Sequence, residues 1–303
     1  MKKDNVLIED VFPFLPQVWG RAIERACDAR DEQLTEMRLR VGRTICLRYG
    51  LDEVSLKDYV VTGEDLEQIV SALCHHSRYA MERELRAGYI TIRGGHRVGL
   101  AGQAVVVDGK VRLLKEISSV AIRIAREVIG AADGLLPYVY SDGQIVSTLL
   151  VAPPYAGKTT VLRDLVRQLS DGSEKHRGVQ VGIADERSEI AGIDSGRMRL
   201  SVGVRTDVID GASKAEAMMM LIRAMSPMVI ATDELGRKED FVAVEEAVHA
   251  GIAVIATLHG RNWQDVTHRM GRTRDAVLSL FGRVVFLTNQ PSMGTFREVV
   301  SRP

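Results

Sequence analysis

The second half of the chain alternates short, uniformly apolar runs with longer amphipathic runs. The apolar runs predict buried strands: QIVSTLLVA, VQVGIAD, PMVIATD, IAVIATLH and RVVFLTN. The runs between them have the helical spacing of apolar residues: TTVLRDLVRQLS, KAEAMMMLIRAM and EDFVAVEEAVHAG. Buried strands that alternate with such helices are typical of a parallel sheet covered on both faces. We therefore expect an α/β domain over residues 143–303.

The beginning of the chain has a different pattern. Residues 10–34 predict an amphipathic helix, and EMRLRVGRTICLRYG is typical of strand. Thr62 is the expected N-cap of a further helix, because early acidic residues and a periodic apolar face follow it. Another helix is expected from Ser77 to Arg86.

Residues 88–127 alternate apolar and polar positions with a period of two. Glycine-containing breaks interrupt the alternation at Gly94-Gly95 and at Asp108-Gly109. Asp-Gly between β-branched residues predicts a hairpin. We expect an α+β domain over residues 1–127 and a linker at 128–142, where Gly, Pro and Asp occur.

Charge and composition narrow the possible functions. Lys+Arg and Asp+Glu are both 40, so the formal net charge is zero. A nucleic-acid binder usually has a basic face, which this balance does not indicate. Cys27, Cys46 and Cys74 lack CxxC spacing, so neither a zinc site nor a disulfide framework is predicted. Neither a signal peptide nor an apolar run of ~18 residues is found, so we expect a cytoplasmic protein that reaches a membrane only through partners.

A phosphate-binding motif lies between the first apolar strand and the helix after it. The Walker A pattern is GxxxxGK[ST], and Ala152 stands here in place of its first glycine. Backbone N–H groups of such a loop point at phosphate oxygens, while Lys158 adds a positive charge and the Thr159 hydroxyl can ligate Mg²⁺. The predicted nucleotide-binding residues are Ala152, Pro153, Pro154, Tyr155, Ala156, Gly157, Lys158, Thr159 and Thr160.

A second strand ends in the acidic pair Asp233 and Glu234. Because the carboxyl ends of parallel strands meet at one edge of a sheet, this pair is expected beside the phosphate loop. One carboxylate would join Thr159 in the Mg²⁺ shell, which we assign to Asp233, and the other would orient water.

Two further strands also end in polar residues. IADERSEI contains Asp185, Glu186 and Glu189, and ATLHG ends its strand with His259. Alone, the first would be a solvated loop and the second a structural histidine. At an edge shared with a phosphate loop, His259 becomes a candidate sensor of the γ-phosphate.

The order of these four motifs resembles that of the type II/type IV secretion ATPases, over residues 90–290. The resemblance implies a RecA-like P-loop NTPase core with a smaller N-terminal α+β domain, ATP and Mg²⁺ as ligands, and a hexameric homo-oligomer. In that family the acidic box supplies the catalytic carboxylate, which here would be Asp185 or Glu186. The family's box usually reads Glu-Asp and its Walker B aspartate is often missing, so Glu234 remains a rival.

Finer details resemble a narrower group, the sporulation ATPases of endospore-forming bacteria: GGHRVGLAGQAVVVDGK and VRTDVIDGASKAEAMMMLIRAMSP. This resemblance implies a motor for a transport channel between mother cell and forespore, with a membrane protein complex as partner. The wider family also supplies arginines to the nucleotide site of a neighbouring subunit. Arg97 and Arg123 occupy matching strands, and Arg126 and Arg205 are further candidates.

Two other functions fit the same core. An ATP-dependent nucleic-acid remodeller has little support from the balanced charge, and we expect no nucleic-acid partner. A regulatory nucleotide switch with little turnover is disfavoured by the acidic box and by His259.

Overall fold

The computed structural model describes residues 5–30, 33–50, 52–74, 85–86, 88–125, 127–154, 156–194, 196–290 and 294–301. Most of the helix expected from Ser77 to Arg86 lies outside these residues, as do Arg126 and Tyr155. The chain divides into two compact units, Met1–Ala125 and Arg126–Pro303.

The first unit is an antiparallel sheet with helices. Its strands are β1 (Glu36–Arg40), β2 (Thr44–Tyr49), β3 (Asp52–Val60), β4 (Tyr89–Ile92), β5 (His96–Val107) and β6 (Lys110–Arg123). Its helices are α1 (Asn5–Asp10), α2 (Gln17–Asp28) and α3 (Gly63–Leu73), with 3₁₀ turns at Phe12–Phe14 and Arg93–Gly95. The strand order is β3-β2-β1-β6-β5-β4, and every described pair is antiparallel.

Of three local predictions made for this unit, one is wrong and two are confirmed. The single helix predicted over residues 10–34 is wrong, because Pro13 and Pro16 interrupt it and proline cannot donate the helical hydrogen bond. The cap at Thr62 is confirmed: its Oγ1 accepts from the Asp65 N–H at 3.1 Å. The hairpin at Asp108-Gly109 is confirmed as well, with φ of 52° and 71° as a type I′ turn requires.

The second unit is built on a seven-stranded sheet. Its strands are β9 (Thr148–Ala152), β10 (Val181–Asp185), β13 (Thr206–Asp210), β14 (Val229–Thr232), β15 (Ala253–His259), β16 (Arg283–Thr288) and β17 (Thr295–Ser301). Two short pairs accompany them, β7 (Tyr140–Ser141) with β8 (Gln144–Ile145), and β11 (Ile193–Asp194) with β12 (Arg197–Met198). The helices are α4 (Lys158–Asp171), α5 (Lys214–Ala224), α6 (Lys238–His249), α7 (Trp263–Met270) and α8 (Arg274–Leu280), with a 3₁₀ turn at Leu136–Val139.

The strand order is β13-β10-β14-β15-β9-β16-β17, and only the β16–β17 pair is antiparallel among these described strands. Helices cover both faces. Leu149 packs in a core with α5 and α6, whereas the adjacent Leu150 packs in a second core with α4. The α/β architecture predicted from the apolar runs is therefore confirmed.

Two features differ from those expected from the sequence. One is the residue at which the second unit begins, and the other is the pair of strands that form the edges of its sheet. Residues 128–142, expected as a linker, contribute Ala132, Leu135 and Val139 to the core of the second unit. The two edge strands, β13 and β17, were not predicted.

Candidate active site

Four adjacent parallel strands bring the four polar motifs to one edge of the sheet. In the order β10, β14, β15 and β9, each strand is hydrogen-bonded to the next. The register places His259 at the end of β15 directly opposite Ala152 at the end of β9. The meeting point expected from sequence is therefore present in the fold.

The phosphate loop begins at Ala152 and ends at Gly157. Gly157 caps α4 with φ of 80°, a left-handed conformation that favours glycine. Ala152 is fully buried within the core beneath α4, so its methyl group fills a space beside the sheet. This explains why alanine is accommodated at the first position of the motif.

The other loop residues lie around the first turn of α4. Ala156 is fully buried, Pro153 is partly buried and Pro154 is exposed. Thr159 and Thr160 are both partly buried. The first N–H groups of a helix have no partner within the helix, so the start of α4 offers donors to an anion.

Lys158 is 9% exposed at the start of α4. Its Nζ lies 3.4 Å from the Pro153 carbonyl oxygen and 3.2 Å from Nδ1 of His259. Burial lowers the pKa of Lys158, and the charges of Glu234 and Asp233 oppose that shift. A buried ammonium in this position is stabilised when an anion such as phosphate binds beside it.

His259 connects Lys158 to the acidic pair. Its Nε2 lies 3.2 Å from Oε1 of Glu234. Burial and the neighbouring Lys158 lower the pKa of His259, so its imidazole is neutral at pH 7. Glu234 adopts a φ of 40°, and its N–H donates to Oγ1 of Thr257 at 2.7 Å. This backbone conformation, uncommon for a residue with a side chain, presents the carboxylate to the imidazole.

Asp233 is nearly buried, and its Oδ1 has no hydrogen-bond partner among the described atoms. Burial raises its pKa to about 7, and the charge of Glu189 adds to the shift. An orphaned carboxylate oxygen beside a phosphate loop suits the shell of a cation. The described residues contain no group of three or more His, Cys, Asp or Glu side chains that could hold a metal. Mg²⁺ would therefore need phosphate oxygens in addition to Asp233 and Thr159.

Asp185 holds the acidic loop in shape. Its fully buried carboxylate accepts N–H groups from Glu189 and Ile190 at 2.9 Å and from Ala191 at 3.0 Å. Arg163 holds the same loop from α4, donating to the carbonyls of Glu189 and Ile190 at 2.6 Å. These contacts give Asp185 a structural task, which its sequence position did not reveal.

The other two acidic-loop carboxylates differ in their surroundings. Glu186 lies 2.8 Å from Nζ of Lys214 and 3.3 Å from Nη2 of Arg237. Burial works against ionisation, but these two cations lower the pKa of Glu186. Glu189 acts electrostatically on both Lys158 and Asp233. Asp185 also acts electrostatically on Asp233, so the acidic loop is coupled to the site through Glu189, which sequence reasoning did not select as catalytic, as well as through Asp185.

The candidate arginines of the first unit lie together on one face of its sheet. Arg97 in β5 is directly opposite Arg123 in β6, which is directly opposite Glu36 in β1. Nε of Arg123 lies 3.3 Å from Oε2 of Glu36, and the Arg97 guanidinium lies 4.0 Å from the centre of the Tyr89 ring. An acid and an aromatic ring thus stabilise two adjacent cations.

Arg205 lies elsewhere. Its Nη1 donates to the carbonyls of Ser170 at 2.9 Å and Asp171 at 3.3 Å, at the carboxyl end of α4. Lys158 begins the same 14-residue helix, which is about 21 Å long. Arg205 therefore does not lie beside the phosphate loop of its own chain.

A parallel sheet with a phosphate loop, acidic strand ends and a strand-terminal histidine, preceded by an α+β unit, defines a RecA-like P-loop fold of the secretion-ATPase type. The fold is similar to that of the Legionella pneumophila ATPase DotB, with a TM-score of 0.61 and 14% identity, covering 90% of this chain and 76% of that one. It is also similar to the pilus retraction motor PilT with bound ADP, with a TM-score of 0.60 and 18% identity, covering 91% of this chain and 80% of that one.

The family model of sporulation stage III, protein AA matches residues 10–302, and the chain belongs to that family. It is 41% identical to stage III sporulation protein AA of Bacillus subtilis (strain 168), over 97% of this chain and 95% of that protein. It is 30% identical to the uncharacterized protein ycf45 of Porphyra purpurea, over 84% of this chain and 40% of that protein. Within the described residues, no helix is both long and apolar enough to cross a membrane.

Proposed function

We propose that this chain is an ATP hydrolase that acts as a secretion-type motor and energises a transport channel between mother cell and forespore. The contact series from Lys158 through His259 to Glu234 carries the proposal, because it joins three motifs at one sheet edge. Membership of a sporulation family supports the biological setting.

Each of these residues has a separate role in ATP hydrolysis. Lys158 and the N–H groups at the start of α4 bind the β- and γ-phosphates, and Glu234 orients the attacking water. The water oxygen bonds to the γ-phosphorus as the bond to the bridging oxygen breaks. ADP leaves with that electron pair, and a proton passes to solvent. Mg²⁺ held by Thr159 and Asp233 would neutralise charge on the phosphates.

The proposal includes a ring, with a hexamer as the expected homo-oligomer. Arg97 and Arg123 would act on the nucleotide of a neighbouring subunit, where an arginine supplied in trans accelerates phosphoryl transfer by about 10³–10⁵. Their adjacent positions on one sheet face support this joint role.

A membrane protein complex is the proposed docking partner. Expressed alone, the chain should fractionate away from membranes, and it should sediment with them only beside that complex. Tight binding to protein-free lipid vesicles would contradict this part of the proposal.

Lys158→Ala tests the central claim. The variant should lose ATP hydrolysis and bind nucleotide more weakly, because the phosphates lose their buried cation. Lys175→Ala, which removes an exposed lysine on the turn after α4, is the matched control and should hydrolyse ATP normally. Full ATPase activity in Lys158→Ala would overturn the proposed function.

A further inference from the structure

Arg187 contacts the Walker B glutamate from the acidic loop. Its Nη1 lies 3.9 Å from Oε2 of Glu234, while the other carboxylate oxygen of Glu234 lies 3.2 Å from His259. The Arg187 and Glu234 side chains are 37% and 42% exposed, so this pair lies at the mouth of the site. The contact extends the polar series to four motifs, from Lys158 through His259 and Glu234 to Arg187.

The backbone on either side of Arg187 is held in place. Asp185 binds the amides of residues 189–191, as described above. Ser188 adopts a φ of 55°, and its Oγ donates to Oδ1 of Asp210 on the neighbouring strand β13 at 2.5 Å. The backbone of the loop is therefore held in one position, and the long, partly exposed side chain of Arg187 extends from it to the site.

Two other arginines near the acidic loop are committed to different contacts. Arg163 is buried and donates to loop carbonyls, and Arg237 pairs with Glu186. Arg187 contacts the carboxylate that orients the attacking water in the proposed function, and its charge also contributes to lowering the pKa of Glu186.

We propose that Arg187 is a catalytic residue in cis that exchanges Glu234 for the γ-phosphate when ATP binds. The inference rests on the proposed function and deepens it. An ion pair at 3.9 Å between partly exposed side chains is weak, whereas guanidinium and phosphate form strong, bidentate, charge-assisted hydrogen bonds. The exchange frees one oxygen of Glu234 to hold the attacking water.

The exchange should occur with ATP and not with ADP. ADP has no γ-phosphate, so Arg187 stays on Glu234 when ADP is bound. Arg187 should therefore contribute to the affinity for a non-hydrolysable ATP analogue and not to the affinity for ADP. A residue that only stabilised the loop would change both affinities together.

The experiment measures dissociation constants for AMP-PNP and for ADP, each with Mg²⁺, by calorimetry. Arg187→Ala should weaken AMP-PNP binding by about tenfold or more, as expected for loss of a charged hydrogen bond, and leave ADP binding nearly unchanged. Arg177→Ala, an exposed arginine on the turn after α4, is the control and should change neither constant. Equal changes for the two nucleotides, or no change for AMP-PNP, would overturn the inference.

A second variant keeps the test decisive if Arg187→Ala folds poorly. Glu234→Gln removes the negative charge that competes with the γ-phosphate for Arg187, so it should bind AMP-PNP more tightly than the wild type. That gain should disappear in the Arg187→Gln/Glu234→Gln double variant, which is the signature of coupling between the two side chains. A gain that persists there, or no gain at all, contradicts the exchange. If the wild type neither binds AMP-PNP nor hydrolyses ATP, the proposed function itself fails.

Discussion

Nζ of Lys158 lies 3.2 Å from Nδ1 of His259, across a separation of 101 positions in the sequence. The ammonium can only donate, so Nδ1 accepts and the proton of the neutral imidazole is on Nε2, facing Glu234. Pairing of β9 with β15 creates this relationship, since Ala152 and His259 are partners in that register. His259 therefore links the phosphate-binding cation to the water-orienting carboxylate.

His259→Gln should lower the turnover number by at least about tenfold and change nucleotide affinity much less, since the link to Glu234 acts on the reacting state. Steady-state kinetics combined with ADP titration would measure both effects. The exposed His249 at the end of α6 supplies the control variant His249→Gln, which should behave as the wild type. Unchanged turnover in His259→Gln would remove His259 from the mechanism.

Substitutions of Glu234 and of Glu186 should differ in their effect on turnover. Glu234→Gln should reduce turnover with little loss of nucleotide binding, because it removes the water-orienting carboxylate. Glu186→Gln should have a smaller effect on turnover, because Glu186 is bound by Lys214 and Arg237. Comparing kcat with nucleotide affinity in both variants checks this order. Normal hydrolysis by Glu234→Gln together with a large defect in Glu186→Gln would assign catalysis to the acidic loop instead.

Asp185→Ala should lower the stability of the folded protein. The change leaves the buried N–H groups of residues 190 and 191 and the partly buried one of residue 189 without their acceptor, and each buried loss costs about 1–3 kcal/mol. Urea denaturation should show a decrease in the free energy of unfolding of a few kcal/mol. A variant as stable as the wild type but unable to hydrolyse ATP would instead show that Asp185 is directly catalytic.

Asp233→Asn should make the nucleotide-free protein more stable at alkaline pH. The pKa of Asp233 is about 7 in the fold, whereas its ordinary value is 3.8. The folded state therefore holds a proton that the unfolded state has lost, and stability falls as pH rises between these values. Asparagine does not titrate, so Asp233→Asn should avoid this decrease. Its free energy of unfolding at pH 8 should exceed that of the wild type by on the order of a few kcal/mol, since one pKa unit equals ~1.4 kcal/mol.

Denaturation of wild type and Asp233→Asn at pH 4 and pH 8 would measure that gain. It should be small at the lower pH, where the carboxyl is protonated in the fold. The same variant should need more Mg²⁺ to bind nucleotide. A stability difference that does not depend on pH would mean that the buried carboxyl does not titrate in this range.

A mixing experiment tests whether the site is shared between subunits. Lys158→Ala keeps its arginines but lacks a working site, and the Arg97→Ala/Arg123→Ala variant keeps the site but lacks the donors. Each should be nearly inactive alone, and ATPase activity should partly return in the mixture as intact sites meet intact donors. If the two proteins co-assemble and no activity returns, the arginines do not act in trans.

Several features could be predicted from local sequence because they depend on neighbours along the chain. The strand, glycine turn and helix around Lys158 follow from an apolar run, a left-handed residue and a periodic helix. The same holds for the cap at Thr62 and the turn at Asp108-Gly109. The edge strands β13 and β17 escaped prediction because they are only partly buried and lack the continuous apolar run of a central strand.

The sequence by itself determined which residue types end the central strands of the α/β unit, since burial of parallel strands leaves charged residues mainly at their ends. It did not determine which side chain of a short acidic loop faces the phosphates. Only the turn after β10 decided that Asp185 binds backbone amides, that Glu186 meets two cations and that Arg187 reaches Glu234. Arg205 was placed at the far end of α4 by the same kind of tertiary contact. The Asp185 contacts form within the loop itself, whereas the others are hydrogen bonds or ion pairs between segments distant in sequence. Neither the periodicity of apolar residues nor the spacing of motifs along the chain predicts them.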